Sequence, residues 1–287
     1  MSAGFAAAVS PTVWARPDRR VRLVEAGQEG LGIRVLGPLE CAVDGVEVHL
    51  GGPTPRRLLA ALSAARGAPV ADAALVELVW RGCPPPDAVG APRVLVSRLR
   101  SALGPEARHR LRRDRAGYAL DLPDAATDHG RFRVEVELGR QLLAEGHPRD
   151  AVGSFEAAQA LWRGQPWPEL DDAPLAVGAR SGLVELLAVA QEEAQAARLA
   201  LGDTATAVAA LCAAVITAPY RERRWELLAL GLYRGSRQAE ALAQLRRARG
   251  VLAGDLGCRP GPALRELERR ILAQDPALEL PGAAWAG

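Results

Sequence analysis

The sequence predicts a mainly α-helical protein. Residues 31–126 read as a winged helix of mixed α/β type, and residues 127–276 as an all-α, tetratricopeptide-like helical repeat. Three observations carry this reading. Short β-rich runs separated by turn signals precede three amphipathic helical segments, a basic hairpin closes them, and alanine-spaced helical units 34 residues apart follow. A chain of 287 residues has room for two such domains.

Residues 1–30 carry Pro11, Pro17 and several glycines without a clear period, and read as a flexible extension lacking the pattern of a secretory signal. Met1 is the sole methionine, so initiation nearer Val21 or Leu31 stays open. From Ile33, IRVLGPLECAVDGVEVHL gives short strands punctuated by Gly37-Pro38 and Asp44-Gly45, which predict a small antiparallel sheet. A first helix follows, with Thr54 as its N-cap, Pro55 at its first position, an apolar stripe of Leu58, Leu59 and Leu62, and Gly67 at its end. A second begins near Asp72, keeps Leu75, Val76, Val79 and Trp80 at helical spacing, and stops at Gly82-Cys83-Pro84-Pro85-Pro86.

In the third helix, which runs to about Leu103, Leu95, Val96, Leu99 and Leu103 face a core. Arg93, Val94, Ser97, Arg98 and Ser101 are left outside, with Arg100 at the boundary. HRLRRDRAGYALDL then reads as a hairpin carrying Arg112, Arg113 and Arg115 near its tip, with Tyr118 packing it. Between residues 92 and 115 eight arginines face only Glu106 and Asp114, a local charge of +6 in a chain whose net charge is +2. Such a field beside an exposed helix suits a DNA backbone, where each neutralised phosphate releases counterions and an arginine can grip guanine with two hydrogen bonds. The competing reading is a solvated basic face, because arginine supplies every cation here apart from histidine.

After Asp124 the text turns Ala- and Leu-rich. Gly146, Gly202 and Ser236 each stand five residues before an alanine, Ala151, Ala207 and Ala241, and a second alanine follows seven later at Ala158, Ala214 and Ala248. The last two units are 34 residues apart, the tetratricopeptide period. The first interval is 56, lengthened by an insert at Trp162–Pro168 ahead of a long helix over 173–201. Alanines seven apart let a partner helix approach closely, and stacked helix pairs present a groove that binds protein.

Composition excludes several chemistries. All 36 Lys and Arg positions are arginine, so Schiff-base lysine and phosphate-loop lysine chemistry are absent. Cys41, Cys83, Cys212 and Cys258 form no CxxC pair, so no disulfide framework or zinc site is expected and a reducing cytoplasm fits. His49, His109, His129 and His147 stand apart without a metal or triad signature. No catalytic residue, cofactor or metal is predicted. Trp80, Trp162 and Trp225 read as core, Asp171-Asp172 and Glu192-Glu193 as solvated faces, and Thr204–Tyr220 as a buried helix rather than a membrane span.

Several strings carry a resemblance: IRVLGPLE, GGP before a helix, a Trp followed by a Pro-rich loop, VSRLRSALG and a Gly-Tyr hairpin. Further on stand DHGRF, ALWRGQPWPEL and PYRERRWELLALGLYRGSRQAEALAQLRRARGVLAGDLGCRPGPALRELERRIL. Over roughly residues 31–274 the chain resembles the actinomycete antibiotic regulatory proteins (SARP), with an OmpR-like winged-helix DNA-binding domain and a bacterial transcriptional activator domain. It is similar to the small two-domain members, with residues 277–287 as a tail. The resemblance implies a cytoplasmic, nucleoid-associated activator without a membrane partner. It would bind double-stranded DNA at promoter direct repeats of a secondary-metabolite gene cluster and recruit RNA polymerase holoenzyme, and repeated half-sites would favour a homodimer on DNA. The third helix would then enter the major groove, Arg112, Arg113 and Arg115 would reach the minor groove or phosphates, and Arg56 and Arg57 would add phosphate contacts.

The chain departs from the family where the recognition helix begins. In place of a polar run of the kind Ala-Arg-Asn-Thr-Leu-Gln it has Ala88-Val89-Gly90-Ala91-Pro92-Arg93, which predicts a helix starting at Pro92, about a turn late. Thr54 and Pro55 likewise replace the Arg or Lys and Gln that precede the first helix. Two outcomes follow: a shifted target sequence, or a protein-interaction adaptor with a degenerate DNA-binding domain.

Overall fold

The computed structural model describes residues 30–171 and 173–279. The expectations on the N-terminal extension and its start codon, and on most of the C-terminal tail, lie outside the described residues. The described chain is mainly α-helical, with two small sheets near its N-terminal end.

Strands β1 (Leu31–Arg34), β2 (Glu40–Val43) and β3 (Val46–Glu47) form an antiparallel sheet in the order β1-β2-β3, with Leu31 opposite Val43 and Ile33 opposite Cys41. Alternation explains the facing, since Leu31, Ile33 and Cys41 point inward. The Asp44-Gly45 turn has positive φ at both residues, +50° and +79°, the geometry a tight two-residue hairpin requires.

Helix α1 (Pro53–Ala64) buries Leu58, Leu59 and Leu62 completely, and burial of each stabilises by about 2 kcal/mol. Its N-cap is Gly52 rather than Thr54, with no side-chain capping bond. Pro53 takes the first helical position, where its fixed φ pre-sets the first turn, so the helix starts before Thr54. Helix α2 (Asp72–Trp80) ends at Arg81 in a left-handed conformation. Helix α3 (Ala91–Ala107) starts one residue before Pro92, because Asp87 Oδ1 accepts from Gly90 N at 3.0 Å and forms the preceding turn. Gly104, with φ +74°, breaks its helical geometry just past Leu103. The hairpin is β4 (Leu111–Arg113) against β5 (Tyr118–Leu120), with Arg113 opposite Tyr118.

Among the described residues seven more α-helices follow: α4 (Asp128–Ala144), α5 (Pro148–Ala160), α6 (Pro174–Ala200), α7 (Thr204–Thr217), α8 (Glu222–Arg234), α9 (Gln238–Leu256) and α10 (Pro262–Leu272). Two compact units emerge. One contains the described residues up to 135 together with 157–187, and the other contains 136–156 and the described residues from 188 onward. In the second, Ala207 and Ala241 are fully buried, Ala248 likewise, and a core of Leu211, Val215, Trp225, Leu228, Leu245 and Ile271 fills the helix pairs. Ala151 is also fully buried there, and Gly139 leaves space that a Cβ would take from Phe155, 2.7 Å from its ring.

Two expectations are corrected here. Helix α7 buries only one face, through Ala207, Val208, Leu211 and Val215, while Ile216 is 67% exposed, since an alanine-rich helix needs one face for close packing. Glu192 does not lie on a solvated face. It is buried, and its Oε1 accepts from Arg221 Nε at 2.5 Å and Arg224 Nε at 3.0 Å.

Candidate nucleic-acid interface

The packing of α3 decides which of its side chains face outward. Leu95, Val96, Leu99 and Leu103 are buried, and Arg93, Val94, Ser97, Arg98 and Ser101 are exposed, as the helical period predicts. Ser101 Oγ donates to Ser97 O at 3.1 Å, which holds that hydroxyl against the helix. Arg100 Nη2 donates to Leu111 O at 2.6 Å and so joins α3 to the first strand of the wing. Among the described residues no ion pair occupies Arg93 or Arg98.

The wing turn is built by Asp114, whose Oδ1 accepts from Ala116 N at 2.7 Å and Gly117 N at 3.1 Å. Gly117 has φ +147°, and a Cβ there would stand 2.0 Å from Val70 O. The close approach lets Val70 and Tyr118 exchange two backbone bonds, which anchors the wing beside α2. Arg113 bonds Asp72 and lies over the Tyr118 ring, 4.4 Å from its centroid, while Arg112 pairs with Asp121 at 3.3 Å. These pairs are about half exposed, and surface pairs of this kind are weak, so both guanidiniums remain able to exchange partners. Arg115, at the tip, is exposed without an ion pair among the described residues.

Arg56 and Arg57 are placed differently from this group. Arg56 Nη2 donates to Leu39 O at 2.5 Å and to Glu169 Oε1 at 3.2 Å. Arg57 donates to Leu78 O at 3.0 Å and to Asp171 Oδ2 at 3.3 Å. Both guanidiniums are engaged within the unit rather than offered outward.

Beneath the wing unit lies a polar keystone that reasoning from sequence missed. Asp128, wholly buried, accepts from Val35 N and Leu36 N at 2.8 and 2.9 Å, and Arg163 Nη2 approaches it at 3.4 Å. Arg163 Nη1 reaches Glu40 Oε1 at 2.7 Å, and the backbone N–H groups of Arg163 and Trp167 donate to Leu36 O and Val35 O. Phe132 meets Trp162 edge-on at 5.3 Å, and His129 lies 5.5 Å from Trp167. DHGRF and WRGQPW are therefore two halves of one contact. The only signal was their density of Gly, aromatic and charged residues.

Burial raises the Asp128 carboxyl above its ordinary range, opposed by the Val35 and Leu36 N–H groups and Arg163. Burial pushes the Cys41 thiol up to about 12, leaving it inert. Burial, helped by Arg66 and Arg133, lowers the His129 ring to about 4. Among the described residues no cluster of His, Cys, Asp and Glu is arranged to hold a metal ion, and no helix is long and apolar enough to cross a membrane.

Residues 127–272 match the bacterial transcriptional activator domain. The chain is 36% identical over 252 residues to the transcriptional regulatory protein EmbR of Mycobacterium tuberculosis, covering 87% of this chain and 65% of that protein, just under two thirds of its length. It is 35% identical over 262 residues to the transcriptional regulator RedD of Streptomyces coelicolor, covering 88% of this chain and 73% of RedD. The solved structure of EmbR in complex with a low-affinity phosphopeptide superposes with a TM-score of 0.81 at 36% identity, over 87% of this chain and 66% of that one. On the match of its helical half and this identity to RedD, the chain belongs to the actinomycete antibiotic regulatory protein family, SARP.

Proposed function

We propose that the protein is a sequence-specific DNA-binding transcriptional activator, pathway-specific for a secondary-metabolite gene cluster, that recruits RNA polymerase at promoters carrying direct repeats. The observation that carries this reading is the exposed α3 face, where Arg93 and Arg98 lack ion-pair partners among the described residues, next in sequence to a wing tip bearing Arg115. Helix α3 enters the major groove with Arg93, Val94, Ser97, Arg98 and Ser101 toward the bases, and the wing takes phosphates or the minor groove. Arg56 and Arg57 contribute by holding the unit's shape. The helical repeat contacts polymerase, and two copies bind successive repeats. That relatives matching over most of this chain are named transcriptional regulators supports the assignment.

A second reading has its own support: the first turn of α3 presents Ala91 and a buried Pro92 where polar base readers are expected, which favours an interaction adaptor without operator recognition. Binding of purified protein to a promoter duplex with direct repeats, titrated with salt, separates the two. The regulator's log affinity falls linearly with log salt, by about 0.9 per phosphate neutralised, whereas binding undetectable at about 50 mM salt leaves the adaptor.

A further inference from the structure

Below α1 lies a cavity of about 80 Å³ whose lining includes Ser63, Arg66, Leu120, Asp124, Thr127 and His129. It exceeds the roughly 10–15 Å³ a single water needs and falls short of the roughly 150 Å³ that admits a benzene ring. Two of the polar side chains around it are already bonded. Thr127 Oγ1 donates to Asp124 O and accepts from Gly130 N, and Ser63 Oγ accepts from Trp167 Nε1 at 3.5 Å.

The His129 ring is not bonded in that way. It is 4% exposed, and its Nδ1 is buried with no hydrogen-bond partner. Such an atom is costly to leave unmade. Two guanidiniums act on the ring, Arg66 from the end of α1 and Arg133 one turn along α4. Among the described residues, Asp124, in the 3-10 turn before α4, is the carboxylate that opposes them. Neither arginine makes an ion pair among the described residues, and Arg133 Nε is buried without a partner. Arg66 is held at the mouth with φ +50°, a conformation rare for residues other than glycine.

We propose that this cavity is a binding site for a small oxyanion, of inorganic phosphate or short carboxylate class, held between Arg66 and the His129 ring, with the Arg133 charge acting from outside the lining. The anion accepts from Nδ1–H and offsets the burial and the two guanidinium charges that together disfavour the protonated ring. Binding raises the affinity of His129 for a proton, so the complex takes up a proton and tightens as pH falls below neutrality. The nine-tenths-buried histidine makes this a built site rather than a surface cluster. It is independent of the DNA-binding reading, since no residue of the exposed α3 face takes part.

The test is a titration of the full chain with sodium phosphate and, separately, sodium acetate at constant ionic strength, following the ring resonances of all four histidines by NMR. The expected result is a saturable shift of His129 alone, with the exposed His49, His109 and His147 unmoved as internal controls. Arg66→Gly removes one guanidinium at a backbone position glycine prefers, so the fold is retained and the phosphate affinity falls roughly tenfold or more, the worth of a charged hydrogen bond. Saturation by phosphate alone assigns a tetrahedral oxyanion, and saturation by both assigns oxyanions generally. No saturable shift with either salt, or equal affinity in Arg66→Gly, overturns the proposal and leaves the cavity to water.

Discussion

Asp128 is a buried carboxylate whose bonds all run across the fold, to the backbone of Val35 and Leu36 and to Arg163. Asp128→Ala strands two buried N–H groups and removes one of the two carboxylates that hold Arg163, and the expected loss is about 3–5 kcal/mol of unfolding free energy in a urea titration. His129 sets the pH response of the same unit. Its ring titrates at 6.5 when unperturbed and at about 4 in the fold, so the unfolded chain binds more protons between those values. Stability from this group is complete above the unfolded value and is lost as pH falls toward 4, a change on the order of 3 kcal/mol. Asp128, with its raised carboxyl, acts in the opposite sense. The difference between wild type and His129→Gln in urea unfolding across this window isolates the ring, and a flat difference would refute the assignment.

At the scale of elements, the proposed DNA-binding role divides between α3 and the wing. Arg98 sits on a rigid helix face, where a bidentate grip on guanine is geometrically defined. Arg98→Ala is expected to cost about 1–3 kcal/mol on the preferred operator and to relax sequence choice at one position. Arg115 stands on a turn, suited to phosphate, so Arg115→Ala weakens all duplexes alike and lowers the salt slope by about 1. Binding isotherms on operator and scrambled duplexes, each at several salt concentrations, check both. The wing that carries Arg115 depends on Gly117. Because a side chain there meets Val70 O and an unfavourable φ at once, Gly117→Ala lowers the melting temperature and weakens DNA binding with it.

On the scale of the whole molecule, the wing unit extends beyond the helices and strands that make a winged helix. Residues 127–135 and 157–187 pack with it, bringing Asp128, Phe132, Trp162 and Trp167 into its core and Arg163 against Asp128. A fragment ending at residue 126 loses every one of those contacts, whereas one ending at Leu187 keeps them. Thermal unfolding followed by circular dichroism is expected to give a cooperative transition for the longer fragment and a broad, low-temperature one for the shorter. Equal stability of the two would show that the keystone contributes nothing to the winged helix.

Local order explains why so much was legible. The strands, the Asp44-Gly45 turn, the stop of α3 beyond Leu103 and its outward Arg93, Ser97 and Arg98 all follow from periodicity and turn chemistry within a few residues of each position. Charge was legible as density, and its partners were not. Arg56 and Arg57 read like any exposed cation, yet Glu169 and Asp171, more than a hundred residues away, engage them. Glu192 read as a solvated carboxylate until Arg221 and Arg224 closed over it. The sequence by itself determined the helices, the hairpin and the sign of the local field, because these depend on neighbours along the chain. Only the tertiary structure decided which ionic groups stay free for a ligand and which are consumed inside, because an ion pair forms between residues that folding, rather than sequence distance, brings within a few ångströms.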